Sequence, residues 1–451
     1  MKFISIEEQR ARIKNLNSAE RDVLKYFRRT RIRDYLPGQA VYNLGEYPCK
    51  ISFTPTDYDR EMIVDMAKNG VELIQIHEDW NDSIRLYGAD KYTCYDPKGL
   101  EAFIELCHSV GIKIIPYISS GYFHRFDPDF REEFHHGGRI VECGTHFSYM
   151  RNSAGSAEWR NFVLPRTVAV LDRYDFDGIY NDCGTDSRYT PNNLIVKEGG
   201  IKYDPEIEDL LGIIYHEVKK RGGIYKIHCD GNNPAHCIDK VYDYIWIGEG
   251  MQSEDIGIGK DYPHFVVPCP DKLRIDITDP DKHFASVIPF LQFPLLTARG
   301  RPMTGERNNV PVPRYGIQEG IWSEYAYWSR IAEHYKTHPD GPYSYSHWSA
   351  VPDDVEEYPR WCRYLALYKP MVEENSLVYI EIRDCADVLS HIPDKVYISM
   401  FVNEKKYLTV SNLTEGEYTL VLSEPWKNRE SGEISREFTV AKDRIIFLVK
   451  P

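Results

Sequence analysis

The chain lacks several features that would define its class at once. It has no uninterrupted apolar run near the ~20 residues that a membrane-spanning helix needs. It also has no CxxC pair, no HxH or HExxH motif and no glycine-rich GxGxxG turn. Positive charge is scarce, because 55 Lys and Arg stand against 69 Asp and Glu and leave a net charge of −14. These absences exclude a membrane partner and disfavour nucleic acid, whose binding depends on clustered Lys and Arg.

The amino terminus lacks the apolar run and the small-residue cleavage site of a secretory signal. The ten cysteines show no close spacing, so we expect reduced, structural thiols and a cytoplasmic protein. Aromatic side chains are abundant instead, with 33 Tyr, 18 Phe and 8 Trp. Such rings can fill a core or provide platforms for sugar rings.

Strand-like and helix-like segments alternate through most of the chain. Thr56, Asp96-Pro97 and Asp204-Pro205 are typical helix starts, and each precedes an apolar stripe at helical spacing. The predicted strands are 50–53, 71–80, 112–118, 178–182, 224–230 and 244–248, with 265–267 and 295–297 as candidates for the seventh and eighth. Six such units without a GxGxxG turn favour an α/β fold of the (β/α)8 TIM barrel type over a doubly wound sheet.

Toward the carboxyl terminus the pattern changes to short strand-like segments separated by turn-rich joints. We therefore predict three parts: an N-terminal helical extension at 1–45, a catalytic barrel at 46–370 and a smaller antiparallel β-sandwich at 371–451. The barrel carries an insertion at about 119–155, which is longer than a barrel helix requires. This insertion is either a lid or subsite wall over the barrel mouth or a subdomain with its own small core.

Acidic residues follow several predicted strands, at the end where barrel enzymes assemble their chemistry. Asp182 ends the fourth strand, Asp230 the fifth and Glu249 follows the sixth. Two carboxylates that face each other across a barrel mouth suit glycoside cleavage, one as the nucleophile and one as the proton donor. Glu249 follows a strongly apolar strand and is therefore the candidate for the proton donor, with Asp230 as an alternative. Asp182 is the candidate for the nucleophile, and Asn181 and Tyr180 are candidate hydrogen-bond donors to its carboxylate.

The order of these motifs carries a family resemblance. One strand ends in Glu78-Asp79-Trp80, the third in Tyr117, the fourth in Asp182 and the sixth in an acid. This order resembles the retaining α-galactosidase and α-N-acetylgalactosaminidase clan of glycoside hydrolases, whose barrel is also followed by a β-sandwich. The resemblance implies that Asp182 is the nucleophile and that the Glu78-Asp79-Trp80 run holds sugar hydroxyls. The chain departs from the family at Tyr180, where a Lys is common, and at Glu249, where an Asp is usual.

We therefore expect a glycoside hydrolase that cleaves a terminal, α-linked sugar by a retaining mechanism, with an oligosaccharide or glycoside as substrate and no cofactor. A transglycosylase would use the same residues. Other strand-end residues are expected to contact the substrate. They are Glu78, Asp79, Trp80, Tyr117, Tyr180, His228 and Asp230.

Two other functions remain open at this point. The first is a metal-dependent hydrolase, because His77 and Asp79 share one strand face, as do His228 and Asp230, and four such groups can bind a divalent ion and activate water. The second is a non-catalytic carbohydrate-binding protein whose acids only hold hydroxyls. A homo-oligomer is open as well, since the C-terminal domain can pack on its own barrel or on that of a second copy.

Overall fold

The structure is a computed structural model. Its described residues are 4–44, 52–76, 80, 82–83, 89–90, 92–94, 96–124, 129–135, 140–143, 147–182, 196–198, 201–229, 237–247, 267–270, 279–300 and 357–451. Among the helices in these ranges, none is both long enough and apolar enough to cross a membrane.

Strands and helices alternate in the first part of the chain, and strands alone follow residue 376. In chain order the elements are α1 (Ile6–Asp22), β1 (Val23–Arg31), β2 (Gln39–Asn43), α2 (Asp57–Lys68), β3 (Leu73–Ile76), β4 (Asp82–Ser83), β5 (Ala89–Asp90), α3 (Pro97–Ser109), β6 (Lys113–Ile118), β7 (Tyr122–His124), β8 (Ile140–Cys143), β9 (Phe147–Arg151), α4 (Ala157–Arg173), β10 (Gly178–Asn181), β11 (Val196–Glu198), β12 (Ile201–Tyr203), α5 (Pro205–Lys219), β13 (Ile224–Cys229), β14 (Tyr244–Ile247), β15 (Val267–Pro270), α6 (Pro280–Val287), β16 (Leu296–Gly300), α7 (Glu357–Tyr368), β17 (Leu377–Cys385), β18 (Val396–Val402), β19 (Lys406–Asn412), β20 (Tyr418–Asn428), β21 (Ile434–Val440) and β22 (Arg444–Val449).

Eight parallel strands form the barrel, in the order β15, β14, β13, β10, β6, β3, β2 and β16. Two backbone hydrogen bonds of 2.9 Å close the ring between β15 and the segment that leads into β16. They run from the N–H groups of Phe293 and Leu295 to the carbonyls of Pro268 and Pro270. The predicted (β/α)8 barrel is therefore present.

The predicted helix starts are confirmed. The side chains of Thr56, Asp96 and Asp204 each accept a hydrogen bond from a backbone N–H in the first turn of the helix that follows. These bonds satisfy amide groups that have no partner inside the helix. The buried apolar stripes of α2, α3 and α5 then pack in the same core as the barrel strands.

The first barrel strand lies earlier in the chain than predicted. We expected a strand at 50–53, but Ser52 and Phe53 are outside any strand, and β2 pairs with β3 instead. The Phe53 N–H donates to the Asp96 side chain at 2.7 Å, so this apolar residue belongs to a loop packed at the start of α3. Residues 1–45 were expected to be a helical extension, but their described part, 4–44, contains one helix and two strands. The division into domains at residues 46 and 371 stays a prediction.

The C-terminal antiparallel β domain is also present, with its strands in the order β1, β17, β18, β19, β22, β20 and β21. The amino-terminal β1 therefore completes this sheet by pairing with β17. Lys406, whose side chain is 3% exposed, joins the sheet to α1 through Asp22 at 3.2 Å and also contacts Asp387, which follows β17, at 2.9 Å. The Ser399 hydroxyl donates to the Pro289 carbonyl at 2.6 Å and so fastens the sheet to the barrel.

The insertion at 119–155 contains an antiparallel sheet with the order β7, β9, β8. Its base packs on α4 through Phe123, Phe134, Trp159 and Phe162, whose ring centroids lie between 5.0 and 6.1 Å apart. These rings belong to the same hydrophobic core as the barrel strands, and a separate core for the insertion stays a prediction. A role as a lid stays a prediction.

Candidate active site

Asp182 stands directly after β10, at the carboxyl end of the barrel. This strand begins at Gly178, whose φ is +143° and where a Cβ would lie 1.8 Å from the Ile224 carbonyl oxygen, so only glycine allows β10 and β13 to approach this closely. At the other end, the Asp182 N–H donates to the Ile118 carbonyl at 2.8 Å. The strand is thus fixed at both ends and places Asp182 where barrel enzymes carry their chemistry.

Two side chains from neighbouring strands hold the Asp182 carboxylate. The Tyr117 hydroxyl donates to Oδ2 at 2.7 Å, and Nδ1 of His228 lies 2.6 Å from Oδ1. With an ionised carboxylate as acceptor, His228 donates from Nδ1, so the partner assigns the tautomer. Donated hydrogen bonds favour the ionised form of a carboxylate. Both oxygens of the Asp182 carboxylate are thus engaged, and 19% of the side chain is exposed.

Aromatic rings form a floor beneath this carboxylate. The imidazole of His228 stacks on Trp246, with ring centroids 4.6 Å apart and an angle of 25°. The Tyr180 ring lies between Tyr117 and Trp246, at 5.7 and 5.5 Å. All four side chains are buried. This packing restricts the rotamers of the two residues that hold Asp182.

Tyr180 and Asn181 were the expected hydrogen-bond donors to Asp182. For the Asn181 amide this expectation was wrong, and for Tyr180 it stays a prediction. Tyr180 lies one pleat deeper on the same strand, and Asn181 points to the other face of the sheet. There the Asn181 amide donates to the Tyr225 hydroxyl at 2.6 Å and to the Ser120 hydroxyl at 2.7 Å. Burial raises the pKa of the Tyr225 hydroxyl far above its ordinary value, so this group stays neutral.

The residues that sequence reasoning missed are Ser119, Ser120 and Tyr225. Ser119-Ser120 follows a strand, and a serine pair in that position is typical of a turn. Its partners are set by the register between β6 and β10, which the sequence does not reveal. Tyr117 and His228 were identified, but as contacts of the substrate and not as the partners of Asp182.

A buried polar layer lies deeper in the barrel. Lys226 is fully buried, and its Nζ lies 3.0 Å from Oε1 of Gln39. The Cys269 thiol lies 3.4 Å from the same oxygen. Burial raises the pKa of this thiol to about 11, against the opposing effect of Lys226. Cys269 is thus a protonated thiol at neutral pH and unsuited to nucleophilic attack.

Trp80 is the one member of its predicted motif that the structure describes. It is wholly buried, its Nε1 donates to the Tyr117 carbonyl at 2.7 Å, and its ring meets Tyr174 and Phe176 edge-on. These contacts support the strand that carries Tyr117. A contact between Trp80 and a sugar stays a prediction.

The other predicted site residues, His77, Glu78, Asp79, Asp230 and Glu249, lie outside the described residues, and their roles stay predictions. Of the four side chains proposed for a metal site, the structure describes His228 alone. Within the described ranges no group of three or more His, Cys, Asp or Glu side chains is arranged to hold a metal ion.

No protein-family model matches the chain, and no curated protein matches it. Solved structures share its fold. An α-glucosyl transfer enzyme superposes with a TM-score of 0.57 and 11% identity, over 95% of this chain and 100% of its own. A noncanonic maltogenic α-amylase from Thermotoga neapolitana gives 0.55 and 11% identity over 92% and 99% of the two chains. An α-amylase from Geobacillus thermoleovorans, complexed with acarbose, gives 0.54 and 10% identity over the same shares.

These structures define the class of fold, a (β/α)8 barrel followed by an antiparallel β domain. At such low identity the likeness concerns the fold alone. None of the three is an α-galactosidase by name, so the predicted resemblance to that clan is not confirmed.

Proposed function

We propose that the protein is a retaining glycoside hydrolase that acts on α-linked sugars, with Asp182 as the nucleophile and Glu249 as the acid/base. The Asp182 carboxylate carries the proposal. It ends a barrel strand, both of its oxygens are engaged by buried donors, and it keeps an exposed surface. A retaining glycosidase needs such an anion, held in one orientation beside the anomeric carbon.

The proposed reaction has two steps. In the first, an Asp182 oxygen bonds to the anomeric carbon while the bond to the leaving oxygen breaks, and Glu249 gives its proton to that oxygen. Tyr117 and His228 keep the carboxylate aligned during the attack. In the second, Glu249 takes a proton from water, whose oxygen displaces Asp182 from the sugar. A sugar hydroxyl in place of that water would give transglycosylation.

We propose α-glucosides as the first substrates to examine. The solved structures with the same fold include a maltogenic α-amylase, an α-glucosyl transfer enzyme and a trehalose-6-phosphate hydrolase. The sequence resemblance adds α-galactosides as a second group. Glu78, Asp79 and Asp230 are the proposed ligands of the sugar hydroxyls, because Trp80, Tyr117, Tyr180 and His228 are buried in the wall and floor of the site.

A panel of 4-nitrophenyl glycosides of both anomers tests this function, with NMR of the first-formed sugar. We expect turnover of an α-glycoside and a product that is first released as the α-anomer. Release of the β-anomer would contradict a retaining mechanism. We also expect Asp182→Asn and Glu249→Gln to bind the product sugar as the wild type does and to lose turnover. Equal turnover in the wild type and both variants would refute the two assignments.

Two further measurements separate the alternatives. Activity that persists after dialysis against a chelator supports the two-carboxylate enzyme, whereas loss of activity and its recovery with a divalent ion would support a metal hydrolase. Sugar binding by a wild type that turns over no glycoside in the panel would support a carbohydrate-binding protein.

A further inference from the structure

Ser119 and Ser120, the two residues after β6, form a junction between Asp182 and the insertion at 119–155. Both are buried, with exposed fractions of 0% and 2%. The Ser119 hydroxyl donates to the Asp182 carbonyl at 3.1 Å and accepts from the Tyr122 N–H at 3.0 Å. Because Tyr122 begins β7, a single hydroxyl links the backbone of Asp182 to the first strand of the insertion.

Ser120 holds the residue before Asp182 in a similar way. Its N–H donates to Oδ1 of Asn181 at 2.8 Å, and its hydroxyl accepts from Nδ2 of Asn181 at 2.7 Å. Asn181 is fully buried, so these bonds form where water does not compete. The two serines thus hold Asn181, the last residue of β10, and Asp182, which follows it.

The carbonyl groups of the two serines are attached to aromatic side chains. The Tyr92 hydroxyl donates to the Ser119 carbonyl at 2.8 Å, and Nε1 of Trp159 donates to the Ser120 carbonyl at 2.7 Å. Trp159 packs against Phe134 at 5.2 Å, in the aromatic base of the insertion. A displacement of that base therefore moves Ser120, and with it the strand end that carries Asp182.

We propose that Ser119 and Ser120 are positioning residues, which hold Asp182 in place and couple its position to the insertion. The inference rests on the proposed role of Asp182 as the nucleophile. A misplacement of about 1 Å can cost about 10²-fold in rate, because the attacking atom must lie close to the reacting carbon. A loosened junction should therefore lower kcat and leave KM nearly unchanged.

Ser119→Ala tests the proposal, with Ser411→Ala as the matched control. Ser411 is also a fully buried serine, but it lies in β19, and its hydroxyl donates to the Ala285 carbonyl at 2.7 Å, away from β10 and the insertion. We expect Ser119→Ala to lower kcat about 10-fold with KM within about 2-fold of the wild type. We expect Ser411→Ala to lower the melting temperature with kcat nearly unchanged. Equal kcat in the two variants would overturn the positioning role.

Hydrogen exchange measures the coupling without reference to activity. We expect Ser119→Ala to raise amide exchange in β7 and at residues 178–182 together, and Ser411→Ala to leave residues 178–182 unchanged. Faster exchange in β7 alone would overturn the coupling.

Ser120→Ala, which removes one of the two bonds to Asn181, is expected to raise exchange at 178–182 as well and provides a second variant if Ser119→Ala does not fold. A wild type inactive on every glycoside would refute the proposed function, and the exchange result would still decide the coupling.

Discussion

The two ends of β10 each carry an aspartate beside a histidine, and the two carboxylates differ in what holds them. Asp177 precedes the strand, and its Oδ2 accepts from the Ile114 N–H at 2.9 Å and lies 2.9 Å from Nε2 of His108. Asp182 follows the strand, and its carboxylate accepts from the Tyr117 hydroxyl and lies 2.6 Å from Nδ1 of His228. The exposed fractions of the two aspartate side chains are nearly equal, 21% and 19%. Exposure of the acid therefore does not distinguish the two sites.

The histidine partners do distinguish them. The His108 side chain is 31% exposed, whereas that of His228 is 3% exposed and stacked on Trp246. Asp177 joins the starts of β6 and β10 through a backbone amide, which is the contact of a residue that stabilises the barrel. Asp182 is contacted by buried side chains at the carboxyl end of the barrel, and 19% of its own side chain is exposed. The difference agrees with the general division of barrels into a face for stability and a face for chemistry.

The largest effect is expected from the same substitution made at the two ends of β10. Asp182→Asn should lower kcat at least about 10³-fold, because an amide cannot form the ester with the sugar. Asp177→Asn should leave kcat within about 2-fold and lower the free energy of unfolding by about 1–3 kcal/mol, since a weaker acceptor remains for Ile114. Initial rates and urea unfolding of both variants measure this contrast. A loss of activity in Asp177→Asn as large as that in Asp182→Asn would remove the distinction between the two ends.

The two histidines provide the next comparison. His228→Ala should lower kcat about 10²-fold, because the removal of a residue that orients a reacting group commonly costs between about 10-fold and 100-fold. His108→Ala should leave the rate unchanged, because its partner Asp177 stands at the opposite end of the barrel. His228→Asn should recover part of the lost rate, since its amide nitrogen can donate from a position near Nδ1. Equal rates in His228→Ala and His228→Asn would show that the hydrogen bond to Asp182 is not what matters.

Tyr117→Phe removes a single hydroxyl from the site and should have a smaller effect. We expect kcat to fall about 10-fold, because Asp182 loses the hydrogen bond from the Tyr117 hydroxyl while the ring keeps its packing on Tyr180. The control is Tyr364→Phe, which removes a similar tyrosine–aspartate bond, 2.9 Å from Asp281, on the outside of the barrel. The control should leave kcat unchanged. A fall of kcat in both variants would point to a general loss of stability.

Much of the fold follows from local patterns in the sequence. Caps at Thr56, Asp96 and Asp204 and apolar stripes at helical spacing predict the helices, because these signals lie within a few residues of each helix end. The first barrel strand was misplaced because Gln39–Asn43 carries a weak strand pattern, and its place beside β3 depends on distant pairing. The position of β1 in the C-terminal sheet also depends on a partner more than 300 residues away, Ile380 opposite Arg28, which no local pattern reveals.

In the candidate site, too, some features follow from local sequence patterns and others depend on distant strand pairing. Asp182 was predicted because a carboxylate after a barrel strand is a local signal. The roles of Tyr117 and His228 as its partners depend on the register of three strands, as does the junction of Ser120 with Asn181. Sequence reasoning can therefore name the residues at a barrel mouth more readily than it can pair them. Which of these residues contact each other depends on the strand register of the closed barrel.

The smallest effect is expected from Lys113→Met, at the start of β6 beside Asp177. The Lys113 Nζ lies 3.4 Å from Oδ1 of Asp177, and its side chain is 45% exposed, so water screens the pair and competes for both charges. We expect a change in the free energy of unfolding of at most about 0.5 kcal/mol and no change in kcat, as measured by urea unfolding and initial rates. Asp177→Asn should remain the more damaging change, because it weakens the bond to the Ile114 amide that joins two strands. If Lys113→Met were the more destabilising of the two, the exposed ion pair, and not the backbone contact, would be what Asp177 contributes to the barrel.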